Sequence, residues 1–148
     1  MSSPDNSGFA VTVDLVVFTR HEGQTRVLLV KRANEPFQGR WALPGGFVDI
    51  DEDLPDAARR ELAEETGVSV GVLRQLGAYG TPGRDPRMRV VTVVFWTEVD
   101  TSVEHSAGDD ASDTRFWAVA DLLADPDLLG FDHHRILQDA LVELEDPQ

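Results

Sequence analysis

Four charged side chains, Arg60, Glu61, Glu64 and Glu65, crowd the end of a run that begins at Gly45-Gly46 and passes through Glu52, reading GGFVDIDEDLPDAARRELAEETGV over 45–68. Pro55 suits a first helical turn, where its missing N–H has no intrahelical partner, and Gly67 supplies a stop. Asp51, Glu52, Asp53 and Asp56 place negative charge at the positive end of that helix. At roughly 100° per residue the three glutamates share an arc of about 100°. Leu54 and Ala57 lie in the same arc with Ala58 at its edge, so Arg59, Ala63 and Thr66 are expected on the outer side. A charge run on a helix is ordinarily a solvated face. Here the acids share the side expected to face the protein, where carboxylates at i, i+3 and i+4 repel by a few tenths of a kcal/mol per pair, and more when partly buried. A cation removes that repulsion, and an all-oxygen set suits Mg²⁺ or Mn²⁺ completed by water and substrate phosphates.

The spacing Gly46, five residues, Glu52, seven residues, then Arg60-Glu61-Leu62-Ala63-Glu64-Glu65-Thr66-Gly67-Val68 resembles the Nudix box, GX5EX7REUXEEXGU with U aliphatic, at every defined position. Seven specified residues at average usage match by chance on the order of once in 10⁹ registers. The resemblance implies an α/β fold, the Nudix α/β/α sandwich with a mixed sheet between helices, and hydrolysis of a nucleoside diphosphate linked to another group. It also implies metal ligation by the Gly46 carbonyl, Glu61 and Glu65, with Glu64 as a further ligand or a water-orienting base. Arg60 would fix a box carboxylate and Glu52 would hydrogen-bond near the metal shell; the plain alternative for that pair is a helix-surface ion pair. The family sometimes takes its base from a distant loop, for which Glu104, Asp109 and Asp110 are the candidates.

Positioning such a site falls to the flanking elements. Residues 1–8 are polar and read as a disordered leader, with a single domain over 9–148. Phe9 to Thr19 and Val27 to Lys31 are β-branched runs that predict a hairpin, and 32–40 reads as a loop around Pro36 and Gly39. Past the box helix, Val68 to Tyr79 reads as a glycine-interrupted strand and Arg89 to Val99 as a strand. A polar stretch over 100–113 then leads to a short strand over Thr114 to Val119. A brief helix over Ala120 to Ala124 and a longer one over Asp132 to Glu145 follow, the latter with Ile136, Leu137, Ala140, Leu141 and Leu144 at helical spacing.

The balance of 13 Lys+Arg against 27 Asp+Glu gives a net charge of −14, which argues against binding a nucleic-acid backbone or an anionic membrane. The absence of cysteine excludes disulfides, thiol catalysis and cysteine-zinc sites. With no signal peptide and no apolar run of membrane-spanning length, a cytoplasmic enzyme is expected.

Gly39-Arg40-Trp41, Gly83-Arg84-Asp85-Pro86-Arg87 and Gly130-Phe131-Asp132-His133 resemble the ADP-ribose pyrophosphatase branch of the family. That resemblance implies conversion of ADP-ribose to AMP and ribose 5-phosphate, and relatives that are commonly homodimers. Arg40 and Trp41 would meet substrate, and Arg84 and Arg87 would offer bidentate donors to a phosphate or ribose, unless they form a polar turn with Asp85. Phe37 and Trp41 either stack on adenine or pack on the core, and His133 and His134 read as structural or exposed rather than metal-binding. The alternatives are a nucleotide-sanitising pyrophosphohydrolase acting on oxidised or non-standard nucleoside triphosphates and a non-catalytic ADP-ribose-sensing module. A DNA-binding regulator is not expected of an acidic chain that ends at Gln148.

Overall fold

The computed structural model describes residues 9–108 and 110–145, so the leader assigned to 1–8 and the candidate Asp109 lie outside the described residues. Strands β1 (Ala10–His21) and β2 (Gln24–Arg32) form the expected hairpin, longer at both strands than the apolar runs alone suggest. They pair between Phe18↔Val27 and His21↔Gln24 and then diverge. Into the opening come two short strands: β3 (Trp41–Ala42) pairs with β2, and β4 (Gly45–Phe47) pairs with β1 in the register Val13↔Gly46. This divergence makes the mouth of a cleft at the carboxylate end of the box.

The other edge of β1 runs parallel to β6 (Val90–Glu98), which pairs antiparallel with β5 (Arg74–Tyr79), while β7 (Ala111–Ala118) pairs antiparallel with β2. The sheet is therefore mixed, as the resemblance implies. Residues 68–73 do not join it, so the expected strand from Val68 shortens to six residues; β7 begins three residues before the expected Thr114.

Alternation along β1 sends Val13, Leu15 and Val17 to one face and Val16 and Phe18 to the other. The first face packs on helix α1 (Leu54–Thr66) through Ala57, Ala58 and Leu62. The second packs on α2 (Val119–Ala124) and α3 (His133–Glu145) through Leu122, Ile136, Leu137, Ala140 and Leu144. Helices on both faces of one mixed sheet complete the α/β/α arrangement. Thr66 departs from the expected outer placement: it is fully buried and its hydroxyl donates to the Leu62 carbonyl at 2.6 Å. That bond satisfies the hydroxyl inside the helix and removes the reason to face water.

Candidate active site

Helix α1 begins where Asp53 accepts from the Leu54 N–H at 2.8 Å, and it closes at Gly67 in the left-handed region at φ 74°. The β6–β7 loop then lies across its C-terminus. The Ser106 N–H donates to the Thr66 carbonyl at 2.8 Å and the Gly108 N–H to that of Glu65 at 3.0 Å, satisfying two end carbonyls of the helix. The same loop delivers Asp110 to the cleft wall.

Glu65 is 8% exposed and its Oε1 accepts from the Gly45 N–H at 2.7 Å. Burial pushes its carboxyl from the usual 4.5 up to about 8; the Gly45 bond opposes this, and the charges of Glu61, Asp14 and Asp110 reinforce it. Glu61 sits directly behind the glycine turn, where a β-carbon on Gly46 would come within 2.5 Å of its Cδ. The glycine is thus required for the carboxylate to approach this backbone.

Arg60 organises the outer side. Its Nε and Nη2 donate to both oxygens of Glu52 at 2.7 and 2.8 Å, its Nη1 donates to Glu61 at 2.9 Å and Glu64 at 3.1 Å, and Nη2 also reaches the Phe47 carbonyl at 3.1 Å. One guanidinium therefore ties the acidic loop, the glycine strand and two box carboxylates together. The hydrogen bond from Arg60 keeps the Glu52 carboxyl below its ordinary range.

Glu64 is turned outward, with its side chain 43% exposed, because it stands at the rim of the buried arc and Arg60 holds it from i−4. The inward set expected from the helical arc is accordingly Glu61 and Glu65. Among the described residues no three acidic or histidine side chains are gathered into a ready-made metal cluster. The residues nevertheless fit a divalent cation: Glu65 is a buried carboxyl that ionises with difficulty beside Glu61, Asp14 and Asp110, with backbone close by at Gly45 and Gly46. Added positive charge there would relieve both burial and repulsion.

The cleft, of about 100 Å³, is lined by Thr12 and Asp14 of β1, Val30 and Arg32 of β2, the glycine turn, Glu65, Asp110, and the loop arginines Arg84 and Arg87. Both expected arginines reach it, and both are already paired. Arg84 forms a bidentate bond to Asp132 at 2.7 and 2.9 Å rather than to Asp85, and Arg87 binds Asp85 at 2.7 and 3.1 Å. Arg40 is exposed, lies over the Phe37 ring and does not line the cleft. Trp41 belongs to the core, edge-on to Trp117 at 5.2 Å, so its ring has no face left for a base. Phe37 packs edge-on to Phe131. Glu104 is exposed and away from the cleft lining, which leaves Asp110 as the described loop carboxylate at the site.

Two cleft residues, Arg32 and Asp14, were not signalled by the motifs, and a third, His133, closes the Gly130–His133 motif and is buried at the cleft rather than exposed. Arg32 donates from Nε to the Pro36 carbonyl at 2.6 Å and lies 5.0 Å from the Phe131 ring centre. Burial and then the neighbouring Arg87 hold its guanidinium below the usual arginine range. Asp14 is buried in the middle of an apolar strand, and His133 is buried at the start of α3. An acid interrupting VTVDLVVF was the available clue, since a charge in an apolar strand demands a partner.

A family model described as NUDIX domain matches residues 8–140. The chain belongs to the Nudix hydrolase family. Its resemblance to an ADP-ribose pyrophosphatase of Methanocaldococcus jannaschii is 42% identity over 130 residues, 88% of this chain and 72% of that protein. The ADPR responsive transcriptional repressor NtrR of Acinetobacter baylyi is 36% identical over 141 residues, 90% of this chain, and the chain spans 54% of that repressor's length. Among solved structures, the NUDIX domain of Shewanella oneidensis NrtR complexed with ADP ribose superposes with a TM-score of 0.84 at 40% identity, covering 91% of this chain and 88% of that one. In this Nudix domain no helix among the described residues is long and apolar enough to cross a membrane.

Proposed function

We propose that this Nudix hydrolase is a Mg²⁺-dependent ADP-ribose diphosphatase that releases AMP and ribose 5-phosphate. The observation that carries the reading is the buried Glu65, bonded to Gly45 beside Glu61, on the floor of a cleft whose wall bears Arg32. The relatives that act on or are solved with ADP-ribose favour this substrate over a nucleoside triphosphate. Glu61, Glu65 and the Gly46 carbonyl would hold the cation, with Glu64 the outer member of the set and Mn²⁺ an acceptable substitute. When bound, the cation supplies positive charge to the two adjacent phosphates.

The chain's own residues do the rest. Arg60 holds Glu61 in place, and Arg32 directs guanidinium N–H groups at phosphate oxygens. Asp110 accepts a proton from the attacking water as its oxygen bonds to phosphorus; the bond to the bridging oxygen breaks and its electron pair leaves on the departing phosphate. Asp110→Asn should lower kcat at least tenfold with little change in KM. An unchanged kcat in that variant would remove Asp110 from the role.

The same reading has the domain acting in the cytoplasm on a small molecule, as a homodimer that binds no nucleic acid, in keeping with its charge of −14. Chromatographic size and a DNA-binding titration test those two statements. A sensing module is the second reading, favoured by the likeness to NtrR and to the NrtR domain. A panel of ADP-ribose and nucleoside triphosphates with Mg²⁺ or Mn²⁺ separates the readings. AMP from ADP-ribose is expected; monophosphate and pyrophosphate from a triphosphate would favour sanitising, and tight ADP-ribose binding without products would favour sensing.

A further inference from the structure

Two buried side chains on the cleft floor lie outside the box, and neither is assigned above to hold the cation, to bind phosphate or to move a proton. Asp14, on β1, is 8% exposed, and its Oδ2 accepts from the Thr92 hydroxyl at 2.6 Å. Its Oδ1 faces the glycine turn so closely that a β-carbon on Gly45 would come within 2.5 Å of it. His133, at the start of α3, is 3% exposed, and its Nδ1 accepts from the Leu43 N–H at 3.0 Å.

The Leu43 bond fixes the state of the imidazole. A backbone N–H can only donate, so Nδ1 must carry the lone pair and Nε2 the proton. That Nε2 stands 3.7 Å from Asp14 Oδ1, beyond hydrogen-bond reach, and has no hydrogen-bond partner among the described residues. Asp14 likewise has lone pairs left after Thr92. Both residues line the cleft.

A buried carboxylate is an awkward floor for a cleft that takes a diphosphate, since it repels the phosphates. It becomes useful where the substrate offers O–H donors. A hydroxyl both donates and accepts, and it fits a site with an acceptor and a fixed N–H donor facing one another.

We propose that Asp14 and His133 form a hydroxyl-reading pair that binds the sugar joined to the second phosphate: the hydroxyl donates to Asp14 Oδ1 and accepts from His133 Nε2–H. This rests on the reading of ADP-ribose as substrate. The pair sets specificity, because it rewards substrates with a hydroxylated group at that position, and both of those hydrogen bonds are lost when the group is missing.

The test is calorimetric binding of ADP-ribose and of ADP, which lacks the second ribose, to the full chain in EDTA, so that the outcome does not depend on turnover. The variants are Asp14→Asn, which keeps an acceptor for Thr92, and His133→Asn, whose amide oxygen can still accept from Leu43 while the Nε2 donor is lost. Wild type is expected to prefer ADP-ribose over ADP at least tenfold, and each variant to erase most of that preference with ADP affinity changed less than threefold. Equal loss for both ligands would mean that the pair only holds the glycine turn and would overturn the inference. So would a wild type that binds neither ligand or shows no preference. If wild type shows the preference but yields no AMP with Mg²⁺, the hydrolytic reading fails while the sugar-reading pair stands.

Discussion

Replacing Glu65 by glutamine isolates the charge on which the site depends. The glutamine keeps an Oε1 for the Gly45 N–H, now at 2.7 Å, and removes the ionisation. In the folded chain the carboxyl titrates at about 8 instead of 4.5, chiefly because it is buried. A carboxyl with a raised folded value stabilises the fold fully below its unfolded value, and the contribution is lost as pH rises through the folded value. At about 1.4 kcal/mol per unit, the shift corresponds to at most about 5 kcal/mol lost between pH 4.5 and 8. For a domain of this size that is on the order of 10 °C in Tm. Thermal melts of wild type and Glu65→Gln in EDTA should therefore nearly coincide at pH 5 and separate by roughly that amount at pH 9, the variant being the more stable. Mg²⁺ at pH 9 should raise the wild-type Tm and leave the variant nearly unmoved, closing the gap. A difference between the two proteins that does not change with pH would refute the reasoning, because it would show that Glu65 folds without a charge penalty.

Arg60→Lys keeps the charge and loses the fork that reaches Glu52, Glu61 and Glu64; kcat should fall roughly 10- to 100-fold with unchanged far-UV circular dichroism, in the range typical of residues that orient metal ligands. Gly46→Ala drives a β-carbon into Glu61; a cost of about 1–3 kcal/mol in urea denaturation is expected, together with at least a tenfold rise in the Mg²⁺ concentration needed for half-maximal rate. Arg84→Ala strips Asp132 of a bidentate partner whose side chain is 4% exposed, and denaturation should show a loss of about 3 kcal/mol or more, with a smaller loss in the double variant Arg84→Met, Asp132→Leu.

The box helix was legible because its signals are local: Asp53, Pro55 and Gly67 bound it, and the arc correctly points Glu61 and Glu65 inward. Thr66 was misplaced because helical angle says nothing about a hydroxyl that bonds back to Leu62. Glu64 was misplaced because Arg60 draws it outward from the rim of the arc. The polar turn offered as the alternative for both arginines holds for Arg87, which binds Asp85, but the partner of Arg84 is Asp132, 48 residues away and out of reach of a local reading. Trp41 borders a polar loop in sequence but enters the sheet as β3 beside Val30 and Lys31, which commits its ring to the core. Asp14 and His133 meet only because β1 and α3 converge on Leu43 and Gly45, a tertiary fact that neither local sequence carries.

The most direct test of the hydrolytic account is product analysis of ADP-ribose incubated with the wild-type chain and with Glu65→Gln in Mg²⁺. Equal amounts of AMP and ribose 5-phosphate from wild type, abolished by EDTA and reduced at least a hundredfold in the variant, are the predicted result. Undiminished AMP formation by Glu65→Gln, or none by wild type, would contradict it.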